Sequence, residues 1–352
     1  MLENGIYFTI LGLVVLDDIR FPDQRPLNNI LGSSGVYARL FLPPPQTESV
    51  GWMLHIEHDF LESTQRQLER WSVSLYTDKE ADNLSTRGLL EYGDTTFAPK
   101  KFRYTTPVLT VQERSLANTE LLKSKAYHYL ETPQTIATRV SDLHSLLQKV
   151  IPALPEKPLV IWEPATLSCK PDNLQACLDA VAFVDVFSPN HLELLSLFGE
   201  PASSTTIDKE KIKSLVTIFI DRGIGRDGTG VAIIRAGEHG CCILRIPNIN
   251  PVWLPTFYNN SSSSSEKMLG QNSMFADPTG ARNAFLGPYA VGYIKTNSAY
   301  FALEQVGVPE LSTVEGKEEE LWNGNSVLSR FREYVHSLES LEVTTIPEGT
   351  WQ

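Results

Sequence analysis

Asp277, Pro278, Thr279 and Gly280 make a turn, and Ala281, Arg282 and Asn283 follow it at the head of a helical stretch of small residues, 283–305. The first N–H groups of a helix have no partner within it, so such a junction can hold an anion, and small residues let a phosphate approach the backbone. The same residues also fit a plain turn-to-helix junction with Thr279 as the cap. Asn190-His191-Leu192-Glu193 follows an apolar run and Ser188-Pro189. Asn190 and Glu193 stand about one helical turn apart and share a face. Taken alone, this pair reads as a capped helix start with a glutamate at the positive end of the dipole.

The elements that must position these residues alternate. The continuous apolar run at 7–16, with β-branched residues, and short runs at 51–55, 158–162 and 184–187 read as strands. Leu61, Leu68 and Trp71 share one face of a helix over 61–71, and Val140, Leu143, Leu147 and Val150 share one over 137–151. Residues 174–183, 191–198, 209–222 and 327–341 are also helical in pattern. Val231-Ala232-Ile233-Ile234 and Cys241-Cys242-Ile243-Leu244-Arg245 read as strands joined by the turn Ala236-Gly237-Glu238-His239-Gly240. Strand–helix alternation of this length predicts a parallel, doubly wound α/β sheet whose ligands sit beyond the carboxyl ends of the strands. Residues 86–110, rich in Tyr, Phe and Thr, break the alternation as a small antiparallel flap would. The Ser-rich loop 258–272 reads as polar, low in complexity and mobile.

Bulk properties narrow the classes. The 352 residues are 42% hydrophobic, enough for one large core or two modest ones, and 20% charged, which is globular composition. A formal net charge of -12 opposes nucleic acid and anionic membrane as partners, but not a small anionic ligand in a local pocket. No apolar run reaches membrane-spanning length, and the start of the chain lacks the basic residues and cleavage site of a signal peptide. Cys169, Cys177, Cys241 and Cys242 lack zinc or redox spacing and read as reduced core thiols in a cytoplasmic protein. His55-Ile56-Glu57-His58 has no third ligand in register for a metal. Tyr92 and residues 102–106 either line the inner face of the flap or fill its small core.

In order along the chain, Leu31-Gly32-Ser33-Ser34-Gly35-Val36-Tyr37-Ala38, Asn190-His191-Leu192-Glu193, Ile233-Ile234-Arg235-Ala236-Gly237-Glu238-His239-Gly240 and Asp277-Pro278-Thr279-Gly280-Ala281-Arg282-Asn283 resemble the motifs of the PfkB/ribokinase family of carbohydrate kinases. Arg87-Gly88-Leu89-Leu90-Glu91-Tyr92-Gly93 and Glu304-Gln305-Val306-Gly307-Val308-Pro309 resemble a fungal branch of it. The resemblance covers most of the chain. It implies a ribokinase-like fold over 1–352: a three-layer α/β/α doubly wound sheet with a small β lid, approximately 17–30 and 86–112. It implies ATP and magnesium as cofactors if kinase activity is retained, and otherwise none. Glu193, with Asn190, would help organise magnesium and phosphates. Thr279, Gly237 and Gly240 would lie by the nucleotide, and Gly280 and Ala281 would supply the anion hole. Asp17 or Asp18, with Gly32, Ser33, Ser34 and Gly35, would meet a hydroxylated small-molecule substrate. Dimerisation through the lid is common in that family.

The departures are chemical. Active relatives read Gly-Ala-Gly-Asp, and the aspartate accepts the proton of the attacking hydroxyl. Here the last two positions are Arg282 and Asn283. An amide cannot act as a base near neutral pH but can orient a hydroxyl. Positioned bases contribute roughly 10²–10⁴-fold, and phosphoryl transfer leans mainly on positioning and charge stabilisation, which leaves room for residual turnover. Arg282 can fill the phosphate channel, bind an anionic group of another ligand, or turn to solvent. Three functions therefore stand open: a slow ATP-dependent kinase with an alcohol acceptor such as a sugar or nucleoside; a pseudokinase acting through partners; and a kinase fold recruited to a cyclisation or isomerisation in a biosynthetic pathway.

Overall fold

A computed structural model describes residues 5–12, 14–33, 49–78, 84–93, 100–153, 157–201, 206–246, 251–255, 311–313, 320–322, 324–326 and 329. Two compact units divide the chain: one runs to Val111 and takes in the C-terminal portion from Leu269, and the other begins at Gln112 and ends at Met268. The helical stretches expected at 283–305 and 327–341, the Ser-rich loop 258–272 and the turn 277–283 lie outside the described residues, apart from Ser329.

In the first unit, β1 (Phe8–Ile10), β4 (Val50–His55) and β5 (Ser74–Asp78) pair in parallel in the order β1-β4-β5. The helix α1 (Glu62–Glu69) links β4 to β5, as parallel neighbours require a crossover. A separate four-stranded sheet has the order β3-β2-β6-β7, with β2 (Val14–Arg20), β3 (Leu27–Ser33), β6 (Arg87–Tyr92) and β7 (Lys100–Tyr104). It is the small β lid of the α/β fold. Ile19, Leu90 and Tyr92 form its core, Phe21 stacks on Tyr92 at 5.4 Å, and Phe102 is partly exposed. The run 7–16 therefore does not form one strand. It splits into β1 and β2, which join different sheets, and both halves are apolar because both are buried. The strands β14 (Leu311–Thr313), β15 (Glu320–Trp322) and β16 (Asn325–Ser326) form an antiparallel sheet.

In the second unit, six strands run in the order β13-β12-β11-β10-β9-β8. Here β8 (Ala126–Glu131), β9 (Leu159–Pro164), β10 (Val186–Phe187) and β11 (Val231–Arg235) are parallel. Their near-continuous burial is what a sheet covered on both faces demands. The sheet departs from a wholly parallel one at its edge, where β12 (Cys241–Arg245) and β13 (Val252–Leu254) are antiparallel. The turn at 236–240 is too short for a crossover.

The helices follow their periods. In α2 (Ile136–Val150), Ile136, Val140, Leu143 and Leu147 are buried, while Val150, expected on the same stripe, is exposed at the last turn. Leu61 likewise falls at the N-cap of α1 and is exposed, while Leu68 and Trp71 are buried. Residues 174–183 divide into α3 (Leu174–Ala180) and a 3₁₀ turn, and α4 spans His191–Leu197. In α5 (Lys209–Arg222), Ile212, Leu215, Val216, Phe219 and Ile220 make the buried stripe. Asp208 caps α5 by accepting from the Lys211 N–H, and Gly223 ends it at φ 92°. Losing one such buried leucine, as in Leu143→Ala, costs about 2–5 kcal/mol.

Arg139 is the polar exception on α2. It donates to Glu113 at 2.8 Å and to Glu131 at 3.0 Å, and its guanidinium lies 4.9 Å from the centre of the Tyr129 ring. Burial raises the Glu113 carboxyl above its ordinary range, and Arg139 opposes that rise. Among the described residues, no helix is long and apolar enough to cross a membrane.

Candidate functional site

Register across the parallel strands sorts the second unit into two faces. His128 pairs with Ile161, Ile161 with Val186, and Val186 with Val231. Paired residues share a face and alternate residues return to it, so Glu163, Ser188 and Arg235 stand on the face of His128. Tyr129, Trp162 and Phe187 take the other, where Phe187 lies 5.2 Å from Trp162 and 4.6 Å from Phe219 of α5. One face is thus an aromatic core. The other carries charge to the carboxyl ends of the strands, the end at which such sheets bind ligands.

The charged face is a connected cluster. Glu163 is fully buried; its Oε1 lies 3.1 Å from Arg235 Nη2, and its Oε2 lies 3.3 Å from His128 Nε2. The guanidinium of Arg235 also donates to the Ser188 carbonyl at 2.7 Å and to the Ser188 hydroxyl at 3.3 Å. The Arg235 backbone N–H donates to Pro189, and Asn190 bridges to Arg235 in parallel register. Arg235 Nη2 then comes within 3.8 Å of Glu193 Oε2. Asn190 and Glu193 cap α4 reciprocally: Asn190 Oδ1 accepts from the Glu193 N–H, and Glu193 Oε2 accepts from the Asn190 N–H, both at 2.8 Å. The Thr166 hydroxyl donates to Glu193 Oε1 at 2.8 Å.

Gly237 and Gly240, both at positive φ, turn the chain directly after Arg235. A Cβ at Gly240 would run into the backbone carbonyl of Leu254, so only glycine fits there. His191 and His239 meet edge to face at 6.5 Å. The structure thus places Asn190, Glu193, Gly237 and Gly240 on one strand-end assembly of the second unit.

Asp17, Asp18, Gly32 and Ser33 lie in the lid sheet of the first unit. Asp17 pairs with Gly88 and stands on the face of Ile19 and Leu90, while Asp18 stands on the opposite face. The Asp17 carboxylate lies over Gly32 and Gly88, in space that a Cβ on either would occupy. Asp18 Oδ1 accepts from the N–H of Asn29, whose φ is 56°. Arg87 donates to Asn29 Oδ1 at 2.7 Å and through Nε and Nη2 to Asp59 Oδ2 at 3.1 and 2.9 Å. Burial alone would raise the Asp59 carboxyl, but hydrogen bonds from Ser85 and Arg87 outweigh it and hold it below the usual range.

Ser34, Gly35, Thr279, Gly280, Ala281, Arg282 and Asn283 lie outside the described residues. Sequence pattern does not single out His128, Glu163, Thr166 or Ser188 as site residues, and it marks Arg235 only as a neighbour of the glycine turn. A signal for two of them is present in the sequence: Glu163 and Arg235 each end an otherwise apolar strand, where a buried charge needs a partner.

Magnesium is the cation that the ribokinase resemblance implies, and the described residues do not fit it. The carboxylates of Glu193 and Glu163 already face the N–H of Asn190, the hydroxyl of Thr166 and the guanidinium of Arg235. A resident cation therefore stands where a metal would need open acidic ligands. Among the described residues, no group of three or more His, Cys, Asp or Glu side chains converges as a metal site.

No family model matches the chain. It is similar to an uncharacterized protein of Schizosaccharomyces pombe, 26% identical over 99% of this chain and 98% of that one. It is also similar to the protein MAK32 of Saccharomyces cerevisiae, 25% identical over 92% of this chain and 90% of that one. Among solved structures it is similar to adenosine kinase of Schistosoma mansoni, at TM-score 0.62 and 12% identity, over 87% of this chain and 97% of that one. Ribokinase of Giardia lamblia gives TM-score 0.57 and 12% identity, over 82% of each chain. A putative ribokinase II of E. coli, solved with ATP and magnesium, gives TM-score 0.55 and 14% identity, over 86% of this chain and 94% of that one. The fold is ribokinase-like.

Proposed function

We propose that this chain is a PfkB-type kinase-like protein that binds a nucleotide and a hydroxylated small molecule, with phosphoryl transfer slow or lost. The observation that carries the reading is the assembly of Asn190, Glu193 and Arg235 beside the Gly237–Gly240 turn, at the carboxyl ends of parallel strands. It stands in a fold shared with adenosine kinase and ribokinase. In this reading Gly237, Gly240 and Thr279 border the nucleotide, and Gly280 and Ala281 offer backbone N–H groups to its phosphates. Asp17, with Gly32, Ser33, Ser34 and Gly35, meets the hydroxyls of the second ligand, and Asp18 supports that sheet through Asn29. Asn283 orients the acceptor hydroxyl but cannot take its proton, and Arg282 brings a cation to the same turn. The buried thiols suit a cytoplasmic setting. The ion pairing of Glu193 also favours a second reading, a pseudokinase that senses its ligand and acts through a partner.

Calorimetry with ATP, followed by ATP turnover against a panel of sugars and nucleosides, tests this on the wild type and on the double variant Arg282→Gly, Asn283→Asp. The expected result is nucleotide binding in both, with turnover in the double variant raised about 10²-fold or more over the wild type. Nucleotide binding by neither protein would sink the proposal. Fast wild-type turnover would make the chain an ordinary kinase, and binding without turnover in both would leave the pseudokinase.

A further inference from the structure

Two acidic side chains, Glu163 from the end of β9 and Glu193 from the first turn of α4, converge on one guanidinium, that of Arg235 at the end of β11. All three are buried, with Glu163 at 0% and Glu193 at 2% exposure. Two carboxylates brought out of water stay ionised only with a cation between them; otherwise they must take up protons. The cation here cannot deprotonate. It cannot swing away either, because Ser188 holds the guanidinium through both its carbonyl and its hydroxyl, and the Arg235 backbone is tied to Pro189. A divalent ion drawn to these carboxylates would have to expel a buried guanidinium from its place among Glu163, Glu193 and the Ser188 oxygens, with those hydrogen bonds lost.

We infer that Arg235 is a built-in counter-cation that replaces a divalent metal between Glu163 and Glu193, so that this strand end takes no metal and ligand binding there is independent of magnesium. The magnesium clause rests on the nucleotide reading above; the displacement of the metal does not.

The test uses the full chain and Mn²⁺ alone as the probe, followed by electron paramagnetic resonance and by thermal melting. The wild type is expected to show no saturable Mn²⁺ site and no shift in Tm on adding Mn²⁺. Arg235→Met, which leaves both carboxylates without their cation, is expected to gain one Mn²⁺ site and to melt higher with Mn²⁺ than without. Arg235→Lys keeps the charge and is expected to behave as the wild type. A saturable wild-type site that Glu193→Gln or Glu163→Gln abolishes would overturn the inference. So would a folded Arg235→Met that gains no site. If Arg235→Met does not fold in either buffer, the wild-type titration and the two glutamine variants decide. ADP affinities measured in Mg²⁺ and in EDTA are expected to agree within a factor of about two. A marked gain with Mg²⁺ overturns the magnesium clause. If no nucleotide binds in either buffer, the nucleotide reading fails, while the Mn²⁺ titration still decides whether Arg235 stands in place of a metal.

Discussion

The carboxylate of Asp17 on β2 lies against the bare Cα of Gly88 on β6, and a methyl group at that glycine would collide with Asp17 Oδ1. Gly32 gives the same clearance on the other neighbouring strand, so two glycines allow one acid to lie flat across the small sheet. The Gly88 methyl would also meet the Phe102 ring at 2.6 Å. Gly88→Ala is therefore expected to lose about 1–3 kcal/mol of stability through overpacking. Gly32→Ala, opposed mainly by the movable Asp17 side chain, is expected to lose less. Both should weaken binding of a hydroxylated ligand by moving Asp17. Thermal melting and ligand titration check the pair, and a Gly88→Ala protein that melts and binds as the wild type does would refute the arrangement.

Asn190→Ala removes one half of the reciprocal cap on α4. The expected loss is about 1 kcal/mol, read from urea denaturation. Thr166→Val, which leaves the cap intact and removes one donor to Glu193, is expected to cost a comparable amount. If Asn190→Ala is neutral, the cap does not hold α4.

Arg139→Met leaves Glu113 buried without its cation and is expected to cost about 3–5 kcal/mol. Adding Glu113→Gln should restore part of that loss, since the more buried of the two carboxylates that Arg139 paired is then neutral. A double-mutant cycle measures the coupling, and strictly additive losses would mean that the two side chains do not interact. The pH sign follows from burial. The Glu113 pKa is raised in the fold, so the folded state holds its proton more tightly, and this contribution to stability declines as pH rises above the ordinary glutamate value.

Asp59 has the opposite sign. Its pKa is lowered in the fold, so its contribution is present above the ordinary aspartate value and disappears as pH falls through the depressed one. Asp59→Asn is expected to cost about 2 kcal/mol near neutral pH, through the lost charged hydrogen bonds of Arg87 and Ser85. The gap to the wild type should close as the medium is taken below the carboxylate range. Chemical denaturation at several pH values reads this directly, and a gap independent of pH would assign the effect to packing.

Cys177, Cys241 and Cys242 are buried, and burial pushes each thiol up to about 12. Thiolate is the reactive form, so iodoacetamide at mildly alkaline pH is expected to leave all three unlabelled in the native protein and to label them once it is unfolded. Rapid native labelling of Cys242 would show that the β12–β13 edge opens.

Local pattern alone was enough for much of this protein. Helical pattern placed α5 over Lys209–Arg222, turn residues placed the hairpin β11–β12, and the Asn190–Glu193 spacing placed the start of α4, because a helix period or a turn is decided by neighbours in the chain. The alternation of strands and helices was enough for the α/β class, and the spacing of Asn190 and Glu193 for a capped helix start; that the cap is reciprocal came from the structure. Pattern could not divide residues 7–16 between two sheets, because both halves are equally apolar. Nor could it separate Asp17 from Asp18, since the period of two had no fixed phase until β2 paired with β6.

The charged cluster belongs wholly to the tertiary structure. His128, Glu163 and Arg235 come from three different strands and Ser188 directly follows a fourth, and only the register of β8 to β11 sets them on one face. Whether a buried acid meets a metal, a hydroxyl or an arginine depends on that register. Tertiary packing thus made Glu193 the partner of Arg235, where local spacing had shown only a helix cap.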